Sequence, residues 1–329
     1  MKIKTVVSVC FGGVMLLYYL AFIDVKSAPR VSDQSITTIK PLAVIHSSTR
    51  REAIHVAPTS TTPPTAVPIK FSQPPVQFDP TAIPTATPEP PLEGYAPEMA
   101  GVFITQTVRF DVYRGKNTFD QATLAAMLPY IEAGIVHAER LLGTKLQQRT
   151  SMGFYAYGTS QIKGIRGLAA SDERRLRVYY SAGESRDGAI SVAIHEAAHQ
   201  LQFDRYGAEA QRLADTILHE GLATWLSDEA WLSRTDSQTW RERGQALLQS
   251  GQLLPIRRDP GGVLADTAYE GWASFVDFLI TKYGWHAFDY LYCSGQGRWA
   301  GSAQYKLVYG KSLNELVDEW HEWLINSKQ

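Results

Sequence analysis

Cysteine is nearly absent. Cys10 and Cys293 are the two in 329 residues, too few for a disulfide framework. Cys10 sits in an apolar N-terminal run, so Cys293 has no plausible intrachain partner and thiol chemistry is not expected. A surplus of charge is also missing: 32 Lys and Arg against 33 Asp and Glu leave a formal net charge of −1. No global basic field is available to hold nucleic acid, which is therefore not expected as a partner. What the chain does have is core material. Hydrophobic residues at 44%, with 8 Trp, 16 Tyr and 12 Phe, exclude a wholly disordered chain. The length suits one sizeable globular unit with appendages, or two small domains.

Composition divides the chain into four parts. Lys2 and Lys4 precede an uncharged stretch from Thr5 to Ile23, 19 residues long and sufficient for a bilayer-spanning helix. Residues 1–29 thus read as a single-pass membrane anchor, with a cleaved signal segment as the competing reading. Positive charge before the segment places the remainder outside the cytoplasm. Residues 30–97 are Ser/Thr-rich and then Pro/Thr-rich, with 12 of the 17 prolines between Val56 and Pro97. Proline removes amide donors and fixes φ, so this part is expected to be a disordered, extended spacer.

Residues 98–188 read as a small mixed α/β sheet subdomain, and 189–329 as a mainly helical one, an α+β arrangement. Val102 to Tyr113 has the β-branched and aromatic alternation of one or two strands. Phe119 to Leu142 is an amphipathic helix with Thr118 or Asp120 as its cap and Pro129 as a possible kink. SMGFYAYGT and RLRVYYSAG read as two strands joined by a polar, Gly-rich loop over Gln161 to Arg174. The strand Arg177 to Ser181 is expected at a sheet edge, where an extended peptide can add to it.

The chemistry-bearing residues cluster at the start of the helical part. Ser191 to Phe203, SVAIHEAAHQLQF, reads as an uninterrupted helix. Its His195 and His199 stand one turn apart on one face, so two imidazole nitrogens can converge on one cation. Glu196 lies about 100° around the axis, badly placed as a third ligand but well placed to reach water as a general base. A second helix, TILHEGLATWLS from Thr216 to Ser227, embeds Glu220 among apolar residues, where a carboxylate needs a partner or a metal. If the first helix ends near Tyr206 and Gly207 and the chain turns back, Glu220 completes a His-His-Glu set, leaving a fourth tetrahedral position for water. Asp204, Asp215 and His219 are rival third ligands. Gln202 and Arg205, three and six positions after His199, exclude the metzincin arrangement.

HEAAH, LHEGLATWL, AYEGWASFVDFLITKYG and GKSLNELVDEWHEWL together resemble the peptidase MA-like family of gluzincins, whose site is related to that of thermolysin-type metalloproteases. The resemblance spans Ile190 to Leu324. It implies one Zn2+ held by His195, His199 and Glu220, with Glu196 as catalytic base. Thermolysin-like enzymes carry an acidic residue four positions after the third ligand. Here that position is Thr224, and Asp228 is the nearest carboxylate on the face. The Gly-x-Met-Glu-Asn run of membrane-alanyl-type aminopeptidases does not occur.

Amide hydrolysis also needs a donor to the developing oxyanion. Tyr269, at the head of a helix that the resemblance places near the site, is the candidate, against the plainer reading of an aromatic packed on Trp272 and Phe275. Tyr283 and His286 are alternates. The expected function is a membrane-anchored, extracytoplasmic zinc metallopeptidase, an endopeptidase acting on peptides or proteins. The alternative is a non-catalytic binding or scaffold domain that retains the metal site.

Overall fold

The computed structural model describes residues 8–11, 101–258 and 265–326. The expected spacer lies outside the described residues, and so does the expected membrane segment apart from Ser8–Phe11. Those four residues form an extended strand, β1. No helix among the described residues is long and apolar enough to cross a membrane.

The described chain is α+β, a mixed sheet followed by helices. The strands after β1 are β2 (Val102–Gln106), β3 (Phe110–Arg114), β4 (Thr150–Tyr155), β5 (Ile165–Ala170) and β6 (Arg175–Tyr179). Their order across the sheet is β1-β5-β6-β4-β3-β2. The central pairs β3–β4 and β4–β6 are parallel, whereas β5 and β2 pair antiparallel at the flanks. Alternation along the strands sorts the core. Phe110, Val112, Met152, Phe154, Leu176 and Val178 face helices, while Tyr155, Leu168 and Tyr179 form a smaller cluster on the other face.

Two expectations about this sheet are corrected. The Gly-rich stretch after Gln161 is not simply a loop: it contains β5, whose IRGLAA sequence lacks the β-branched and aromatic signature of a strand. Strand β6 is not an edge, since it lies between β5 and β4. Its bulky run marks a strand buried on both faces, the environment in which such residues gain most.

Helix α1 (Gln121–Leu142) is capped by Asp120, whose side chain accepts from the Thr123 amide, runs through Pro129, and ends at Gly143 in the left-handed region. Arg109, before β3, pairs with Glu132 at 2.8 Å and Glu139 at 2.7 Å, tying the sheet to that helix. Helix α2 (Arg186–Leu213) breaks its helical path at Gly207, where φ is 81°, close to the turn point expected from sequence. One side of α2 (Ala189, Val192, Ala193, Ile194, Ala197) packs on the sheet and α1. The other side (Ala198, Leu201) enters the helical core. From Ser191 to Gln202 α2 is buried from both directions, so His195, Glu196 and His199 stand where an ionisable side chain needs a partner.

Helix α3 (Thr216–Leu232) follows, capped by Asp215, with non-helical backbone at Asp228. Then come α4 (Trp240–Gln249), α5 (Ala265–Cys293), α6 (Tyr305–Tyr309) and α7 (Leu313–Ile325), the last begun by a Ser312/Glu315 capping box. Helices α3 and α5 approach closely at Gly221, where a Cβ would come within 2.8 Å of the Trp272 carbonyl oxygen. The buried indoles find acceptors. Trp225 donates to Asp277 Oδ1 at 3.1 Å, Trp272 to the Ile256 carbonyl at 2.9 Å and Trp320 to Ser274 Oγ at 3.2 Å.

Burial pushes the Asp277 carboxyl up to about 6, against the opposing hydrogen bond from Trp225. A raised acid pKa costs stability as pH climbs from about 4, where the unfolded carboxyl ionises, to about 6, where the folded one does. Asp277→Asn keeps the acceptor for Trp225. It is expected to leave stability unchanged near pH 4 and to raise it by about 3 kcal/mol above pH 6, as read by denaturant unfolding across that window.

Candidate metal centre

The centre is assembled by the crossing of α2 and α3 beneath the sheet. His195 and His199 project from α2, one turn apart, and Glu220 from the second turn of α3; all three are buried. One carboxylate oxygen, Glu220 Oε2, lies 3.3 Å from His195 Nε2 and 3.3 Å from His199 Nε2. The ligand atoms of the three all fall within 4.8 Å of one another. A small tetrahedral cation holding nitrogen and oxygen at about 2.0–2.1 Å spaces neighbouring donors by about 3.3 Å. The group therefore has the dimensions to hold one metal ion.

Charge supports the same reading. Burial alone would raise the Glu220 carboxyl, but the facing imidazoles of His199 and His195 outweigh it and hold the group well below the usual carboxylate range. Burial pushes His195 down, toward the neutral form that ligates a metal. The ring nitrogens turned away from the centre also have partners. His195 Nδ1 meets Thr224 Oγ1 at 3.3 Å, and His199 Nδ1 meets Gln202 Oε1 at 3.4 Å. Thr224, at the position where thermolysin-like enzymes carry an acid, thus stands at the His195 ring. Asp228 instead bonds His137 of α1, 2.8 Å from Oδ2 to Nε2.

The rival third ligands are engaged otherwise. Asp204 pairs with Arg174 at 2.7 Å and accepts from the Gln147 amide. Asp215 caps α3 and accepts from the amides of Gly301 and Ala303 and from the Tyr305 hydroxyl. His219 stacks on His199, ring centroids 4.1 Å apart, with Nε2 3.9 Å from Glu220 Oε1.

Glu196 is fully buried beside the two histidines, on the side of α2 that meets β5. A Cβ at Gly167 would lie 2.0 Å from Glu196 Oε1, so the bare backbone of β5 provides the room this carboxylate occupies. Tyr269, in the first turns of α5, stacks beside His195 with centroids 5.9 Å apart and rings inclined by 19°. It also contacts Trp272, so the packing role and the place near the site coexist. Tyr283 bonds Glu319 and His286 packs on Tyr290, both away from the three ligands.

A cleft of about 370 Å³ reaches His195, walled by Arg166, Tyr180, Trp231, Arg234, Asp266 and Tyr269. Arg166 pairs with Glu184 at 2.8 Å and Arg234 with Asp266 at 3.1 Å. The Trp231 ring lies 5.6 Å from that of His195, and its Nε1 donates to Glu270, which Arg243 also holds. Among these, sequence reasoning found Tyr269 alone. The others come from strand β5, the β6–α2 connection, the end of α3, the loop after it and the first turn of α5, and no local pattern marks them as neighbours. The chain matches no protein-family model and no curated protein.

Thr224→Val preserves shape and removes the hydroxyl at His195. Metal affinity is expected to fall by about tenfold or more, measured by competition with a chromophoric chelator. The melting temperature of the metal-free protein should change little.

Proposed function

We propose that this chain is a zinc-dependent peptidase of the gluzincin type, cleaving peptide bonds in peptides or proteins. The observation that carries the reading is the single Glu220 oxygen equidistant from two imidazole nitrogens, with a second carboxylate, Glu196, on the same helix. Two nitrogens and one oxygen, buried and spaced for a tetrahedron, suit zinc and leave a fourth position open. When bound, the ion supplies Lewis acidity to a carbonyl oxygen and acidity to water. His195, His199 and Glu220 hold it; Glu196 takes the proton from the attacking water and delivers it to the leaving nitrogen. Confinement between β5 and α2 keeps that carboxylate aimed. Tyr269, at the cleft wall beside His195, donates its phenolic proton to the oxyanion. The cleft admits a substrate side chain between aromatic walls, with two arginine–carboxylate pairs beside it. Extracytoplasmic, membrane-anchored placement belongs to the same proposal and rests on the apolar stretch from Thr5 to Ile23.

Glu196→Gln is expected to retain one zinc per chain and to lose about 10²–10⁴-fold in hydrolysis of a quenched fluorescent peptide library. An undiminished rate in that variant overturns the mechanism. Tyr269→Phe should lower kcat by about 10²-fold with KM and zinc content little changed, as steady-state kinetics and metal analysis will show.

A further inference from the structure

Gln202 lies three residues beyond His199 on α2 and is fully buried. Its amide orientation is fixed by its neighbours. Nε2 donates to the His219 carbonyl at 3.0 Å, which leaves Oε1 as the acceptor. That oxygen accepts from the Tyr292 hydroxyl of α5 at 2.9 Å and faces His199 Nδ1 at 3.4 Å. A carbonyl oxygen cannot donate, so His199 carries its proton on Nδ1 and turns the lone pair of Nε2 toward Glu220. The remaining bond of the cluster runs consistently. The Tyr292 proton is committed to Gln202, so the phenol oxygen receives His219 Nδ1, 3.2 Å away. Burial raises the Tyr292 pKa, which keeps the phenol a donor.

We infer that Gln202, locked between Tyr292 and the His219 carbonyl, is the positioning residue that sets the tautomer and ring orientation of His199 for metal binding. The inference rests on the zinc-site reading above. Packing alone does not account for the arrangement. An aliphatic side chain would fill the same space without the cost of burying an amide, a phenol and an imidazole that must all be satisfied at once. Carboxylates or backbone carbonyls commonly perform this task at metal-binding histidines. Here a side-chain amide does so, orienting the ring without adding negative charge behind it. With Thr224 at His195, both imidazoles are then backed by uncharged oxygens.

The test compares Gln202→Leu, Gln202→Glu and Tyr292→Phe in the full chain by two readouts. Imidazole nitrogen chemical shifts of the metal-free protein should report the Nδ1–H tautomer for His199 in the wild type. A mixture is expected in Gln202→Leu, and Nδ1–H again in Gln202→Glu, which keeps the acceptor. Zinc affinity by chelator competition should fall about 10–100-fold in Gln202→Leu, stay within a few-fold of wild type in Gln202→Glu, and fall by less in Tyr292→Phe. Wild-type tautomer and wild-type zinc affinity in Gln202→Leu would sink the inference. Should Gln202→Leu fail to fold, Tyr292→Phe decides, because it removes one hydroxyl and frees the amide to turn; no change in either readout again counts against the assignment. A wild-type chain that takes up no zinc defeats the metal-site reading instead, while the tautomer measurement still judges Gln202.

Discussion

Two imidazole nitrogens and a carboxylate oxygen meet in the buried interior, and the fold is arranged around the problem of satisfying them. A buried carboxylate facing two imidazoles is tolerated only with compensating charge, and the crossing of α2 and α3 fixes all three groups at the spacing a single cation requires. Each helix is in turn held by its other neighbours. The sheet and α1 press on one side of α2, and α5 meets α3 at Gly221, where there is no side chain to hold the helices apart. Moving either helix would uncouple the ligands, so their precision is a property of packing between elements.

Around that centre the polar groups form closed sets. Asp215 serves the α3 amides and the loop before Tyr305 together; Glu270 ties Trp231 to Arg243; Gln202 joins α2, α3 and α5 through a single amide. Each set links segments distant in sequence at a point close to the ligands. The helical part is therefore cross-braced by hydrogen bonds in the places where side chains must be most accurately held.

Much of this was legible in the sequence where the signal is local. Helix α1 and its Asp120 cap, the break at Gly207, the shared face of His195 and His199 and the buried Glu220 all follow from spacing a few residues long. What escaped depends on contacts between remote segments. Strand β5 was hidden because its small residues are chosen for closeness to α2, and Gly and Ala carry little strand propensity. The interior position of β6 was missed because its second neighbour, β5, carries no strand signature of its own, although the bulky run of β6 fits burial on both faces. Thr224 looked like a departure from an acidic pattern, but its hydroxyl meets the ring of His195, so an uncharged group stands at that ligand. Arg166, Trp231 and Asp266 come together only when β5, α3 and α5 converge, and no motif announces that convergence.

The glycine at 167 carries a mechanical consequence. Because β5 presents bare backbone to the oxygens of Glu196, the reach of that carboxylate is gauged by the gap between a strand and a helix. A slide of the strand by one residue would bring a side chain into the gap and displace the acid while the two imidazoles and Glu220 kept their places. The His-His-Glu group and Glu196 thereby depend on different joints of the same scaffold, and one can be disturbed while the other stays whole.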